Sequence, residues 1–167
     1  KEGRSFYSKL YENKNIPHDN VKYFIDNVFL PKRLDDIEAA MCEGEIREEE
    51  CLHVIKHLRK NISPGLDGLP NEFYVTLWQY IKDLVIDSFN EGFLHGELSD
   101  THKQIILSLI FKKNDRKFFK NYRPISLSNT DYKILAFVLA NRLQKILHKI
   151  ISPEQVAYIK ERYIGQN

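Results

Sequence analysis

A chain of 167 residues, 43% apolar and 29% charged, is long enough for a real core and has the composition of an ordinary soluble domain. No apolar run approaches the roughly 20 residues of a membrane span, and no charged-then-apolar leader opens the sequence. The net charge of +2 conceals a step: residues 1–100 hold 12 Lys and Arg against 19 Asp and Glu, and residues 101–167 hold 13 against 4. A basic stretch of that size points to a polyanionic partner.

The two cysteines, Cys42 and Cys51, form no CxxC pair, so a reducing intracellular setting, cytoplasmic or nuclear, is the expectation. The start at Lys1 and the end at Asn167 both read as cut from a longer polypeptide. Residues 4–13 place Phe6, Tyr7, Leu10 and Tyr11 at helical spacing, and residues 20–30 form a second short amphipathic element stopped by Pro31. An acidic run from Glu43 to Glu50 opens a helix. Its glutamates complement the positive helix end, and Leu52, Ile55 and Leu58 supply the apolar face.

Residues 61–70 are punctuation, with turn signals at Ser63-Pro64-Gly65 and Asp67-Gly68. From Pro70 a long helix is predicted to about Phe93, with Phe73, Leu77, Ile81, Leu84 and Phe89 on its apolar face and Trp78 in the core. Residues 104–111 (QIILSLIF) read as a buried strand, residues 112–122 as a polar loop, and residues 123–127 as a second strand that Pro124 keeps at an edge. The two strands pair as a hairpin with a long basic tip. A second long helix is predicted over residues 131–151, with Asp131 as its cap. It carries an apolar stripe (Leu135, Leu139, Leu143, Ile146, Ile150) beside a basic one (Arg142, Lys145, Lys149). Ser152-Pro153-Glu154 restarts a helical turn.

Residues 103–123 carry seven cations and one acid, Asp115, interleaved with Phe118, Phe119 and Tyr122. Cations and aromatic rings together are what phosphates and unstacked bases require. Lys112 and Arg123 stand at the strand ends, where the backbone can hold a point charge and a bidentate fork against a phosphate. His53 and His57, with Cys51 nearby, are the one candidate metal set, but no third and fourth ligands stand at suitable spacing.

Several blocks carry a resemblance. These are Lys60 to Gly68 (KNISPGLDG), Glu72-Phe73-Tyr74, Leu109-Ile110-Phe111-Lys112, Tyr122 to Asn129 (YRPISLSN) with Asp131-Tyr132-Lys133-Ile134, Leu139 to Leu143 (LANRL), and Gln155 to Tyr158 (QVAY). In this order and at this spacing they resemble the N-terminal blocks of non-LTR (LINE-type) retrotransposon reverse transcriptases, from about residue 43 to the end.

The resemblance implies an α+β, helix-dominated fold that forms the fingers and palm entrance of a right-hand polymerase. Residues 1–60 would be an N-terminal helical extension, and residues 61–167 the start of the polymerase domain. It implies that Lys112 and Arg123 lean on the triphosphate of an incoming deoxynucleotide. Lys113, Arg116, Lys117, Lys120, Tyr122, Gln155, Tyr158 and Arg162 would contact nucleic acid, with an RNA template as partner. The turn at residues 63–68 would belong to the template track, or be a plain corner between helices.

The family usually shows Gly-Phe and then Gly-Arg near the end, where this sequence has Ala157-Tyr158 and Glu161-Arg162. The aspartates that bind Mg²⁺ in the family fall after Asn167, so this chain alone is expected to hold no metal and not to polymerise. Two alternatives stay open: a non-catalytic nucleic-acid-binding module, and a decayed remnant of such an element.

Overall fold

Two long helices and one hairpin dominate the architecture, as their periodicity predicts. The computed structural model describes residues 2–12, 17–28, 32–163 and 165. In chain order these form α1 (Glu2–Leu10), α2 (His18–Asn27), α3 (Asp36–Ala40), α4 (Glu48–Lys56), α5 (Asn71–His95), α6 (Asp100–Lys103), β1 (Ile105–Phe111), β2 (Tyr122–Ser128) and α7 (Thr130–Ile150). The strands form a two-stranded sheet. The fold is α+β and rich in helix. No helix among the described residues is long and apolar enough to cross a membrane. The ends expected for the first two elements, at Asn13 and at Leu30-Pro31, lie outside the described residues.

The chain divides into two compact units, residues 1–33 with 109–125, and residues 34–108 with 126–167. The boundary expected at residue 60 falls inside the second unit. In the first unit, α1 turns Phe6 and Tyr7 onto the ring of Phe119, with centroids 6.0 and 6.4 Å away. Leu10 and Tyr11, placed on the same face by spacing alone, stay exposed. Helix α2 buries no side chain, although it carries Val21, Tyr23, Phe24 and Ile25.

The second unit is built where α4, α5 and α7 pack together around Ile46, Cys51, Ile55, Trp78, Phe89 and Ile134. Trp78 is core, as its spacing predicts. Burial holds the Cys51 thiol protonated, pushing its pKa up to about 12. Two expected positions differ. Leu84 and Leu143 are exposed, because the buried stripes are centred on Tyr74, Trp78 and Phe89 in α5 and on Ile134, Leu135, Val138 and Ile146 in α7. Ser152-Pro153-Glu154 forms the expected turn, with the Gln155 amide donating to the Ser152 carbonyl at 3.1 Å, and no helix continues from it through residue 163.

The largest difference is electrostatic. Arg142 does not belong to a solvated basic stripe; it is 4% exposed, and all five of its N–H groups are bonded. Nε and Nη2 donate to the two oxygens of Glu50, each at 2.7 Å. Nη1 donates to the carbonyls of Glu43 (3.2 Å) and Gly44 (2.9 Å), and Nη2 also to that of Glu45 (2.7 Å). Glu50 in turn accepts the Arg47 amide at 3.1 Å, closing the first turn of α4. Gly44 presents its carbonyl from a left-handed backbone (φ 85°) that a side chain would strain.

Asn90 of α5 completes the anchorage, accepting from the Ile46 amide at 2.7 Å and donating to the Ile46 carbonyl at 3.2 Å. Lys149, the other residue of the expected stripe, pairs with Glu38 and with Asp35 (3.6 Å), the two members of the capping box of α3. Only Lys145 of the three remains free of an acid among the described residues.

The fork from Arg142 holds the Glu50 carboxyl below its ordinary range. A depressed carboxylate stabilises the fold above its unfolded pKa, and that contribution disappears as pH falls through the folded value. Arg142→Leu should therefore cost about 3–5 kcal/mol in urea unfolding at pH 7, because it strands Glu50 and three carbonyls. The deficit relative to the natural chain should shrink as pH falls, because the stranded Glu50 of the variant protonates first, and it should be smallest below the depressed Glu50 pKa of the natural chain, where both carry the proton. A variant within about 1 kcal/mol of the natural chain at pH 7 would show that the fork is dispensable.

Candidate nucleic-acid interface

The basic hairpin is built by turning the loop's own polar groups inward. The Lys112 amide donates to the Asn121 carbonyl at 2.9 Å, which closes the loop and sets the register. Buried Asn121 donates from its side chain to the Asp115 carbonyl at 2.7 Å and from its amide to the Phe118 carbonyl at 3.0 Å. Asp115 accepts the Lys117 amide at 2.9 Å, and the Tyr122 hydroxyl donates to the Arg116 carbonyl at 3.0 Å. Asn114 takes the left-handed turn (φ 68°), a conformation that asparagine tolerates better than most residues. The loop is thus a folded object fastened to α1 through Phe119.

With residue 112 opposite 121, and Phe111 meeting Tyr122 edge-on at 5.5 Å, alternation puts Lys112 and Arg123 on the opposite face from those rings. There they are diagonal neighbours across the pair, near enough to share one ligand. Pro124 needs no ladder partner on the outer side of a two-stranded sheet, so it sits in β2 without penalty.

Lys112, Lys113, Arg116, Lys117, Lys120 and Arg123 are all exposed, and none forms an ion pair among the described residues. Arg116 lies 4.8 Å over the Phe111 ring and Lys120 5.3 Å over the exposed Phe118 ring. Such stacking positions a cation without neutralising it. Lys103, counted with this group in the sequence, is held by Glu97 (2.5 Å) and Asp100 (3.6 Å). Tyr122 is half-buried and braces the loop. Phe118, left out of the expected site, is the aromatic ring that the hairpin presents.

Strand β1 is not buried as expected: Ile105 to Ile110 are exposed. A strand buries its faces only where a further layer covers them.

The remaining expected site residues belong to the second unit. Arg162 donates from Nη1 to the carbonyls of Ser152 (2.6 Å) and Gln155 (3.0 Å), and from Nη2 to those of His148 (3.0 Å) and Ile151 (3.3 Å). Both terminal nitrogens are therefore committed to the C-terminal end of α7, where a cation is favoured. Gln155 is exposed, and Tyr158 is 95% exposed on a left-handed backbone (φ 65°).

The turn at residues 63–68 is a corner. Asn129, the residue capping α7 in place of Asp131, accepts the Asp67 amide at 3.4 Å and donates to the Thr101 carbonyl at 3.1 Å. A Cβ on Gly65 would lie 2.5 Å from the Asn129 amide nitrogen, so the chain can pass there only as glycine. Buried Thr130 donates to the Leu69 carbonyl, at 3.1 Å, and lies the same distance from the Asn71 side-chain oxygen.

Sequence reasoning missed one further row. The Ser99 hydroxyl lies 3.0 Å from His102 Nδ1, and His102 Nε2 lies 3.1 Å from Asp131. It staples α6 to the first turn of α7, and residues this far apart give no local signal. No group of three or more His, Cys, Asp or Glu comes together as a metal site among the described residues. His57 instead turns its ring nitrogen to the His53 carbonyl at 2.7 Å.

These features define a helix-rich α+β chain that carries a basic hairpin braced by its own hydrogen bonds. No family model matches it. Over 166 residues, 98% of the chain, it is 34% identical to the "Transposon TX1 uncharacterized 149 kDa protein" of Xenopus laevis. The chain spans 12% of that protein's length. This similarity supports an origin in a mobile element.

Glu161, at a position where the resembled family usually has glycine, also takes a left-handed backbone (φ 66°). A non-glycine residue there costs about 1–2 kcal/mol. Glu161→Gly should raise stability by about 1 kcal/mol in thermal or urea unfolding, while Glu161→Ala should give no comparable gain. An equal gain from both would place the effect in the carboxylate and not in the backbone.

Proposed function

We propose that this chain is part of an RNA-directed DNA polymerase of a LINE-like mobile element, forming its fingers and palm entrance. Its hairpin would hold the phosphates of nucleic acid and of an incoming deoxynucleotide. The observation that carries this reading is the set of six exposed cations, none with an acid partner among the described residues, on a hairpin whose loop is braced by Asp115, Asn121 and Tyr122. Lys112 and Arg123, on one face as diagonal neighbours, suit a triphosphate: Arg offers a fork and Lys a point charge. Lys113, Arg116, Lys117 and Lys120 suit a backbone, and Phe118 suits a base. The ordered sequence blocks and the similarity to a transposon protein support the polymerase assignment.

In nucleotidyl transfer these side chains bind and orient; they neutralise charge on the transferred group, which is the larger share of catalysis in such reactions. Mg²⁺ in the parent enzyme would activate the primer hydroxyl and stabilise the leaving group. The described residues bring no group of three or more His, Cys, Asp or Glu together for it.

Binding of a fluorescein-labelled single-stranded RNA, followed by anisotropy across 50–300 mM salt, tests the reading. Affinity should fall steeply with salt, and Lys113→Gln, Arg116→Gln and Lys117→Gln should each flatten the log–log slope by about 0.7. Weak, salt-independent binding in the natural chain would sink the hairpin as a phosphate contact.

A further inference from the structure

The cleft between α4, α7 and the strap of residues 158–161 is a second site. Its volume is about 560 Å³, and a neighbouring hollow of about 330 Å³ shares His53, Asn141 and Lys160 with it. Together they reach the size of pockets that hold drug-sized ligands. All of the lining residues belong to the second unit.

The strap is fixed in place. Gln144 of α7 donates to the Tyr158 carbonyl at 2.9 Å and accepts the Lys160 amide at 3.4 Å. Lys145 on α7 and Lys160 on the strap therefore line the same cleft, both exposed and both without an acid partner among the described residues. The acids that face them are few. Glu50 is neutralised by Arg142, which leaves Glu49 on α4 and Glu161 on the strap. His53 and His148 also face the cleft.

The remaining walls suit a heteroaromatic ring. The His53 and His57 rings lie 4.8 Å apart, and the exposed ring of Phe137 opens into the shared hollow. Half-buried Asn141, common to both cavities, makes no side-chain hydrogen bond among the described residues. An amide offers a donor and an acceptor side by side, which is what the edge of a base requires. Two cations without an acid partner and one amide without a side-chain bond among the described residues, beside flat ring surfaces, make a consistent set.

We propose that this cleft binds one nucleoside phosphate unit. Lys145 and Lys160 take the phosphate, Asn141 the base edge, and Phe137 with the His53–His57 pair the base face. The site lies outside the hairpin and does not depend on the polymerase reading.

The test uses the full chain with Lys113→Gln, Arg116→Gln and Lys117→Gln, so that the hairpin no longer dominates. Anisotropy of a labelled ten-nucleotide RNA should retain measurable binding in this background. Adding Lys145→Gln with Lys160→Gln should weaken it about tenfold and flatten the salt slope by about 1.4. Asn141→Leu should weaken it severalfold without changing that slope, an effect that loss of charge cannot produce. Competition by free nucleoside 5′-monophosphates would mark a site for free nucleotide, and competition by oligonucleotide alone a site for one link of a strand. Unchanged affinity in the Lys145/Lys160 variant, with an unchanged melting curve, would overturn the cleft. So would complete loss of binding on neutralising the hairpin, a result that leaves the hairpin reading standing.

Discussion

The Arg142 guanidinium is the constraint on which the larger unit depends. It draws Glu50 of α4, three consecutive loop carbonyls and α7 to one buried point, and every N–H it has is used. A buried charge so fully bonded adds less net stability than its bond count suggests, since desolvation offsets most of the attraction. Its larger effect is on specificity. Any other register of α4 on α7 would leave a charge in the core without partners. Asn90, clamping Ile46 from α5, fixes the same loop from the other side, so three helices share one reference point.

A second junction explains why sequence blocks sixty residues apart belong together. Asn129 and Thr130, at the start of α7, bond the corner that contains Gly65, Asp67 and Leu69, and the Asn129 cap leaves no room for a side chain on Gly65. The residues that look like a signature in the sequence are here the two halves of one joint. The basic hairpin uses similar economy, with Asn121, Asp115 and Tyr122 bonding the loop to itself so that its cations remain free for a ligand. Fixing that loop in advance lowers the ordering cost of binding a polyanion.

Much of the fold was legible, because long helices and a hairpin write their periods into the sequence. The ends of α5 and α7, the core position of Trp78 and the pairing of β1 with β2 could all be read there. Arg142 and Arg162 could not. Nothing local distinguishes a solvated arginine from one satisfied by carbonyls, and the Glu50 partner of Arg142 lies 92 residues away. The exposure of β1 was missed for the opposite reason: an apolar, β-branched run signals a strand, but not whether another layer covers it. At the interface, the cation pattern was visible from composition. The face shared by Lys112 and Arg123, and the exchange of Tyr122 for Phe118 as the presented ring, needed the register.

The central claim is that residues 112–123 hold the dominant nucleic-acid contact of this chain. Photo-crosslinking with a 4-thiouridine-bearing RNA, followed by mapping of the adducted peptides, tests it most directly. Adducts concentrated within residues 112–123, with Phe118 prominent among them, are the result this account predicts. Binding that yields adducts only on α1 or α2, with the hairpin peptides unmodified, would contradict it.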